Sequence, residues 1–193
     1  RSQWVGMPGA PTTQSFAVHA PTAKSGLAWG LNFAHDQIGP SRNIMVAGTG
    51  AYIIKFEDSK LAFGLRAGIY NTVLDRSMLN FKEDNDQLDI GGKEGAMVPS
   101  FDFGVYYYKT KFYAGLSANH LTKHTFKFDD FPDTVATNMS LRRHFMLNAG
   151  YVWEIKKNFM LKPSFMLKEV PGAPINLDVN LSALFYKRFW LGV

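Results

Sequence analysis

The chain contains no cysteine. That removes disulfide scaffolds, thiolate zinc sites and cysteine nucleophiles. It also lacks an unbroken apolar run of about 18 residues, so no transmembrane helix is expected. Charge is sparse, at 19% of the 193 residues, and the formal balance is +5. So mild and scattered an excess is no nucleic-acid footprint. Yet 46% of the chain is hydrophobic and 15% aromatic, too apolar for a disordered segment. The question the composition poses is where so much aromatic surface goes.

The chain opens at Arg1, Ser2, Gln3 and Trp4, with no initiator methionine and no signal peptide. It stops at Phe189, Trp190, Leu191, Gly192 and Val193, which read as the first half of a strand. Both ends are expected to be cuts through a longer protein.

Helical spacing is scarce and period-two alternation is frequent. In 175–186, Ile175, Leu177, Val179, Leu181, Ala183 and Phe185 point one way, against Asn176, Asp178, Asn180 and Ser182. A strand sends successive side chains to opposite faces, so this is one apolar and one polar face. The same test places strands at 60–70, 101–108, 144–153 and 159–168, with others near 12–20, 26–35, 42–57 and 111–120. The 42–57 segment alternates poorly, which leaves its register open. Glycine recurs on the polar faces at Gly30, Gly64, Gly104, Gly115 and Gly150. Recurrence on one face predicts a curved sheet with glycine on the concave side.

Connections alternate in length. Short ones fall near 20–25, 57–60, 109–110, 156–157 and 187–188; long or rigid ones fall at 36–41, 75–97, 121–140 and 169–174. In a meander, alternate connections share an end, so long loops gather at one end and short turns at the other. Aromatics flank the short turns, among them Phe56, Phe63, Tyr106, Tyr107, Tyr108, Phe112, Tyr113, Tyr151, Trp153, Phe185, Tyr186 and Trp190. Rings with a polar tip suit the membrane–water interface, and lysines in the turns suit the head-group level. These marks predict an all-β transmembrane up-and-down antiparallel β-barrel in contact with outer-membrane lipid, apolar outside and polar inside. The competing architecture is a soluble lipocalin-like barrel, whose apolar face points inward. About nine to eleven strands lie in this chain, and the parent barrel is expected to have at least about twelve. Residues 1–193 are read as a single barrel domain.

The sharpest motif is a repeated proline–glycine–alanine–proline: Pro8, Gly9, Ala10 and Pro11, then Pro171, Gly172, Ala173 and Pro174. Both copies precede strands at the long-loop end, where Ile38, Gly39 and Pro40 also fall. Turn chemistry explains such residues, because proline fixes φ and glycine supplies unusual angles. A rigid partner-binding rim explains them too. Below it, Arg66, Asp102, Asn148, Lys162, Asn176 and Asp178 are the expected polar lining of the lumen.

Chemical sites are weakly indicated. His120 and His124 are four apart but at a strand end with no supporting carboxylates, so no metal or cofactor is expected. The acidic stretch 82–94 lacks calcium-loop spacing. Asn138, Met139 and Ser140 form a glycosylation sequon, uninformative in a bacterial host. Ser117 and Asn119 share the polar face while His120 falls on the other, which builds no catalytic dyad. No enzyme is expected.

The opening RSQWVGMPGAPTTQSFAVHAP resembles the PorP/SprF family of Bacteroidota outer-membrane proteins. The resemblance continues through LNFAHDQIGP, FGLRAGIY, FGVYYYKTKFYAGLS, RRHFMLNAGYVWEI, LKPSFMLKEVPGAPINLDVN and LFYKRFWLGV. Loops 72–97 and 121–140 carry no match. The resemblance implies an accessory component of the type IX secretion system that also serves gliding motility. It implies docking of a secreted adhesin C-terminal domain, periplasmic lipoprotein components of the machinery, or both, with no catalytic residues. A solute channel with anion preference set by Arg66, Lys162 and Lys168 is the alternative from a different class.

Overall fold

The computed structural model describes residues 1–22, 26–78, 92–122 and 140–193. These form β1 (Thr12–Pro21), β2 (Leu27–Ile38), β3 (Ser41–Lys55), β4 (Ser59–Asp75), β5 (Lys93–Lys109), β6 (Phe112–Asn119), β7 (His144–Tyr151), β8 (Trp153–Lys156), β9 (Phe159–Glu169), β10 (Asn176–Phe185) and β11 (Phe189–Gly192). All eleven belong to one antiparallel sheet in sequence order, with β8 continuing β7 along β9. The sheet is consistent with a β-barrel, although β1 and β11 do not pair with each other to close it. The first residues run back along β1, through a Ser2–Thr12 bridge.

Register fixes which side chains share a face, because residues directly opposite in an antiparallel pair point the same way. Thr49, Arg66 and Asp102 are successive partners across β3, β4 and β5. Gly115, Asn148, Met166 and Asp178 are partners across β6, β7, β9 and β10. One face therefore collects the polar and small residues. The other carries Leu31, Val46, Leu65, Ile69, Leu116, Leu177 and Val179, all exposed, Val179 at 73%. Among the described residues the buried apolar side chains are Ala47 and Val98, while Thr72, Arg76, Glu94, Ser100 and Asp102 are buried polar ones. This is the reverse of a water-soluble barrel and removes the lipocalin alternative. β3, ambiguous in sequence, has Ile44, Val46, Tyr52 and Ile54 on the apolar face, and Asn43, Ala47 and Thr49 on the polar one.

Several boundaries differ from the sequence expectation. The rigid connection expected over 36–41 shrinks to Gly39 and Pro40, a two-residue hairpin with Gly39 at φ 53°. Glycine first and proline second suits a type II′ turn, which matches strand twist. β4 and β5 run on past the expected 70 and begin before the expected 101. Pro99 lies inside β5 without penalty. Its carbonyl faces the β6 side, where Thr122 Oγ1 donates to it at 3.4 Å. The missing N–H points the same way, beyond the last β5–β6 pair, Phe103–Ala118. The strand expected over 144–153 breaks at Val152, just past Tyr151, which by register faces Pro163. Val152 N–H donates to Lys111 O at 2.7 Å, extending the β6–β7 register by one step.

The aromatics divide between both faces. Tyr107, Phe112, Tyr151 and Phe185 are outward, as a lipid-interface girdle requires. Tyr106, Tyr108, Tyr113 and Trp190 face inward, which the girdle reading did not anticipate. Tyr106 is opposite Gly115 and Tyr113 is opposite Gly150. A Cβ at Gly150 would meet Tyr113 Oη at 2.5 Å, and one at Gly115 would meet Tyr106 Cδ2 at 2.8 Å. The rings lie across the glycines, so these two glycines serve as seats for neighbouring rings.

The inverted faces give a direct test. Leu65→Arg, in the outward row of β4, should lower folding stability in bilayers by about 2–4 kcal/mol, while Ser164→Arg on the inner face should cost under ~1 kcal/mol. Urea titration of refolded protein in lipid vesicles measures both.

Candidate partner-binding rim and inner polar face

Residues 8–11 fold as a tight bend, with Ala10 N–H donating to Met7 O at 3.2 Å. Gly9 adopts φ 75°, a region open chiefly to glycine. Its carbonyl accepts from Gly39 N–H at 2.9 Å, and a Cβ on Gly9 would lie 3.2 Å from Gly39 Cα. The structure thus brings Pro8, Gly9, Ala10 and Pro11 against Ile38, Gly39 and Pro40. The second motif sits between β9 and β10. Ala173 N–H donates to Val170 O at 2.9 Å, and Gly172 adopts φ 88°. Arg142 Nη1 donates to Pro171 O at 3.4 Å. Pro171, Gly172, Ala173 and Pro174 are therefore held from the β7 side. Both motifs lie at the long-loop end, but β2 to β9 separate them in the sheet.

All six expected lining residues fall on the inner face, in four settings. Arg66 and Asp102 form an ion pair through Nε and Oδ2, with 29% and 7% of their side chains exposed. Lys168 Nζ pairs with Asp178 Oδ2 at 2.5 Å, one register step from Asn176. Lys162 Nζ lies 5.9 Å from the Tyr113 ring centroid and 5.4 Å from that of Trp190, both cation–π distances. Asn148 packs beside Gly115, and its Oδ1 is buried without a hydrogen-bond partner. Further strand-to-strand bonds stitch the same face: Thr13 Oγ1 donates to Asp36 at 2.6 Å, and Thr72 Oγ1 donates to Asn43 at 2.7 Å.

The centre of this network escaped the sequence reading. His120 adopts φ 53°, which swings it onto the inner face instead of the outer one expected from parity. Its backbone N–H donates to Asp102 Oδ1 at 2.7 Å, and its Nδ1 lies 2.8 Å from Ser100 Oγ. The ring meets His144 edge-on, with centroids 6.0 Å apart. Ser100, His120 and Asp102 are thus adjacent, but the carboxylate holds the His120 backbone, not its ring. A catalytic triad needs the acid on the imidazole. Burial, the largest influence, holds the His120 imidazole below its ordinary 6.5 despite the nearby Asp102 charge. Arg76 and Glu94 form a second buried pair at 2.8 Å where β4 leaves the sheet. Among the described residues no cluster could hold a metal ion. His124, 82–91 of the acidic stretch, and Asn138 and Met139 of the sequon lie outside the described residues.

A sheet with its apolar face outward and a stitched polar face inward defines the class of outer-membrane β-barrels. The family model for the type IX secretion system membrane protein PorP/SprF matches residues 1–193. The chain belongs to that family, a membrane component of the secretion system located in the outer membrane. Curated proteins gave no match to the chain.

Two measurements probe the inner network. Asp102→Ala strands Arg66 and frees the His120 N–H. It should cost about 3 kcal/mol, the lower end for a buried pair because Arg66 keeps some solvent. Asp102→Asn, which keeps an acceptor for His120, should cost less; urea midpoints decide. The depressed His120 value also has a sign. The unfolded chain binds the proton more readily, so this group's contribution is complete above 6.5 and falls as pH drops towards the folded value. NMR titration should show His120 titrating below 6.5, and His120→Gln should remove that share of the acid destabilisation.

Proposed function

We propose that this barrel is a non-enzymatic docking component, and that its long-loop mouth holds the C-terminal domain of a secreted adhesin. One observation carries the reading. At that mouth, two copies of the same rigid motif are each fastened from the side, the first through Gly39 N–H and the second through Arg142. Rigid, pre-formed elements bind without a large ordering cost. The short turns at the other end offer periplasmic lipoprotein components a place to attach, as a second contact of the same machinery. The channel alternative receives less support. Among the described residues, the three cations that reading relies on are engaged: Arg66 and Lys168 by carboxylates and Lys162 by rings.

Replacing residues 8–11 and 171–174 with Gly-Ser linkers should lower adhesin retention at the cell surface about tenfold, a loss of ~1.4 kcal/mol of docking energy. The folded state of the variant is checked by heat-modifiable gel mobility. Full retention by a folded variant rejects the rim. The absence of cysteine makes orientation directly readable. Gly92 has φ 91° and tolerates a side chain poorly, so Lys93→Cys is the better outer reporter, paired with Thr110→Cys. The first should label on intact cells and the second only after permeabilisation.

A further inference from the structure

Among the described residues, the apolar outer face carries a groove of about 610 Å³. Ala149, Gly150 and Pro163 form its floor, and Tyr151, Phe165 and Val179 rise beside it. Its origin is local. β7 stops at Tyr151, the chain passes through Val152, and the facing strand has Pro163, which has no N–H for the ladder. Small outward side chains at this break leave the space that larger ones fill elsewhere.

What lies beyond the groove is charged. Roughly 16 Å of strand, at ~3.3 Å per residue, separates Tyr151 from Lys156. On the way comes Trp153, 62% exposed, at the level of the aromatic girdle. Lys156 then ends β8, Lys157 opens the β8–β9 turn, and Lys109 lies at the edge of the adjoining β5–β6 turn, all exposed. Lys111 is held by Glu154 at 3.2 Å, whereas Lys109, Lys156 and Lys157 enter no ion pair among the described residues.

We infer that groove and lysines together form a site for one anionic phospholipid of the periplasmic leaflet. An acyl chain lies in the groove, and the phosphate and its head group reach the three free ammonium groups. The order along the strand is apolar trough, indole, then cations. That is the order of hydrocarbon, interface and phosphate in a leaflet. A polypeptide occupant fits poorly. At hydrocarbon depth an unpaired segment would leave its amide groups without partners.

The purified full-length barrel, in detergent micelles, would be mixed with phosphatidylglycerol and phosphatidylethanolamine and examined by native mass spectrometry. It should retain the anionic lipid at least about fivefold over the zwitterionic one. The triple variant Lys109→Gln/Lys156→Gln/Lys157→Gln should lose that preference. Ala149→Phe, which fills the floor, should reduce retention of both lipids. Should Ala149→Phe not fold, competition with glycerophosphoglycerol, the head group without chains, replaces it; that compound should fail to displace the lipid. Equal retention of both lipids by the wild-type chain overturns the proposal, as does displacement by the head group alone. A triple variant that keeps its lipid preference but loses cross-linking to a periplasmic lipoprotein would assign the lysines to protein docking and also overturn it.

Discussion

Hydrocarbon offers no water to a bare N–H or C=O, and every other feature of this chain answers to that constraint. Backbone groups must be matched strand to strand. Once they are, side chains alternate strictly between two surroundings. The outer set meets lipid and needs only to be apolar, as with Leu65 and Val179. The inner set carries the specific interactions. Arg66 with Asp102 and Thr13 with Asp36 join neighbouring strands directly opposite each other. A one-residue slip would move each of them into lipid, so these pairs also hold the register.

The inner face is graded along the strands. At the long-loop end it is polar and buried, with Thr72, Glu94, Ser100 and Asp102 packed beneath the mouth. Towards the short turns it becomes aromatic, with Tyr106, Tyr108 and Tyr113 flanked by Lys60 and Lys162. The first zone positions loops and rim motifs. The second is a belt of rings seated on glycines, stiff where the strands turn.

Much of this was legible in the residues, and the losses have physical causes. The alternation in 175–186 found β10 and its polar row because both environments act on that segment. It faded over Asn71 to Asp75 and Lys93 to Ser100, where β4 and β5 are long enough to leave the hydrocarbon and their outer face no longer has to be apolar. The break at Val152 follows Tyr151, whose partner across the sheet, Pro163, is set by a register the alternation alone does not reveal. Parity misplaced His120 because a left-handed backbone residue ends the alternation, and nothing in its identity announces that. The tyrosines around Thr110 were assigned to one interface by their composition. Gly115 and Gly150 were the available signal: glycine opposite an aromatic on a neighbouring strand indicates an inward ring. The two proline–glycine–alanine–proline motifs were visible as a repeat, while the contacts that fasten them, Gly39 and Arg142, required the fold.

Every strand in the sheet pairs with its neighbours in sequence, save for the short detour through β8. Within the described sheet no distant segments need to meet before neighbours pair, so the entropy of loop closure is met in small instalments until the barrel closes. A hairpin is then a self-contained unit, whose addition or loss leaves the pairing of the others intact. Over evolutionary time a barrel of this kind can change its girth by whole hairpins and its mouth by single loops, keeping one inner network while the outward-facing contacts diverge.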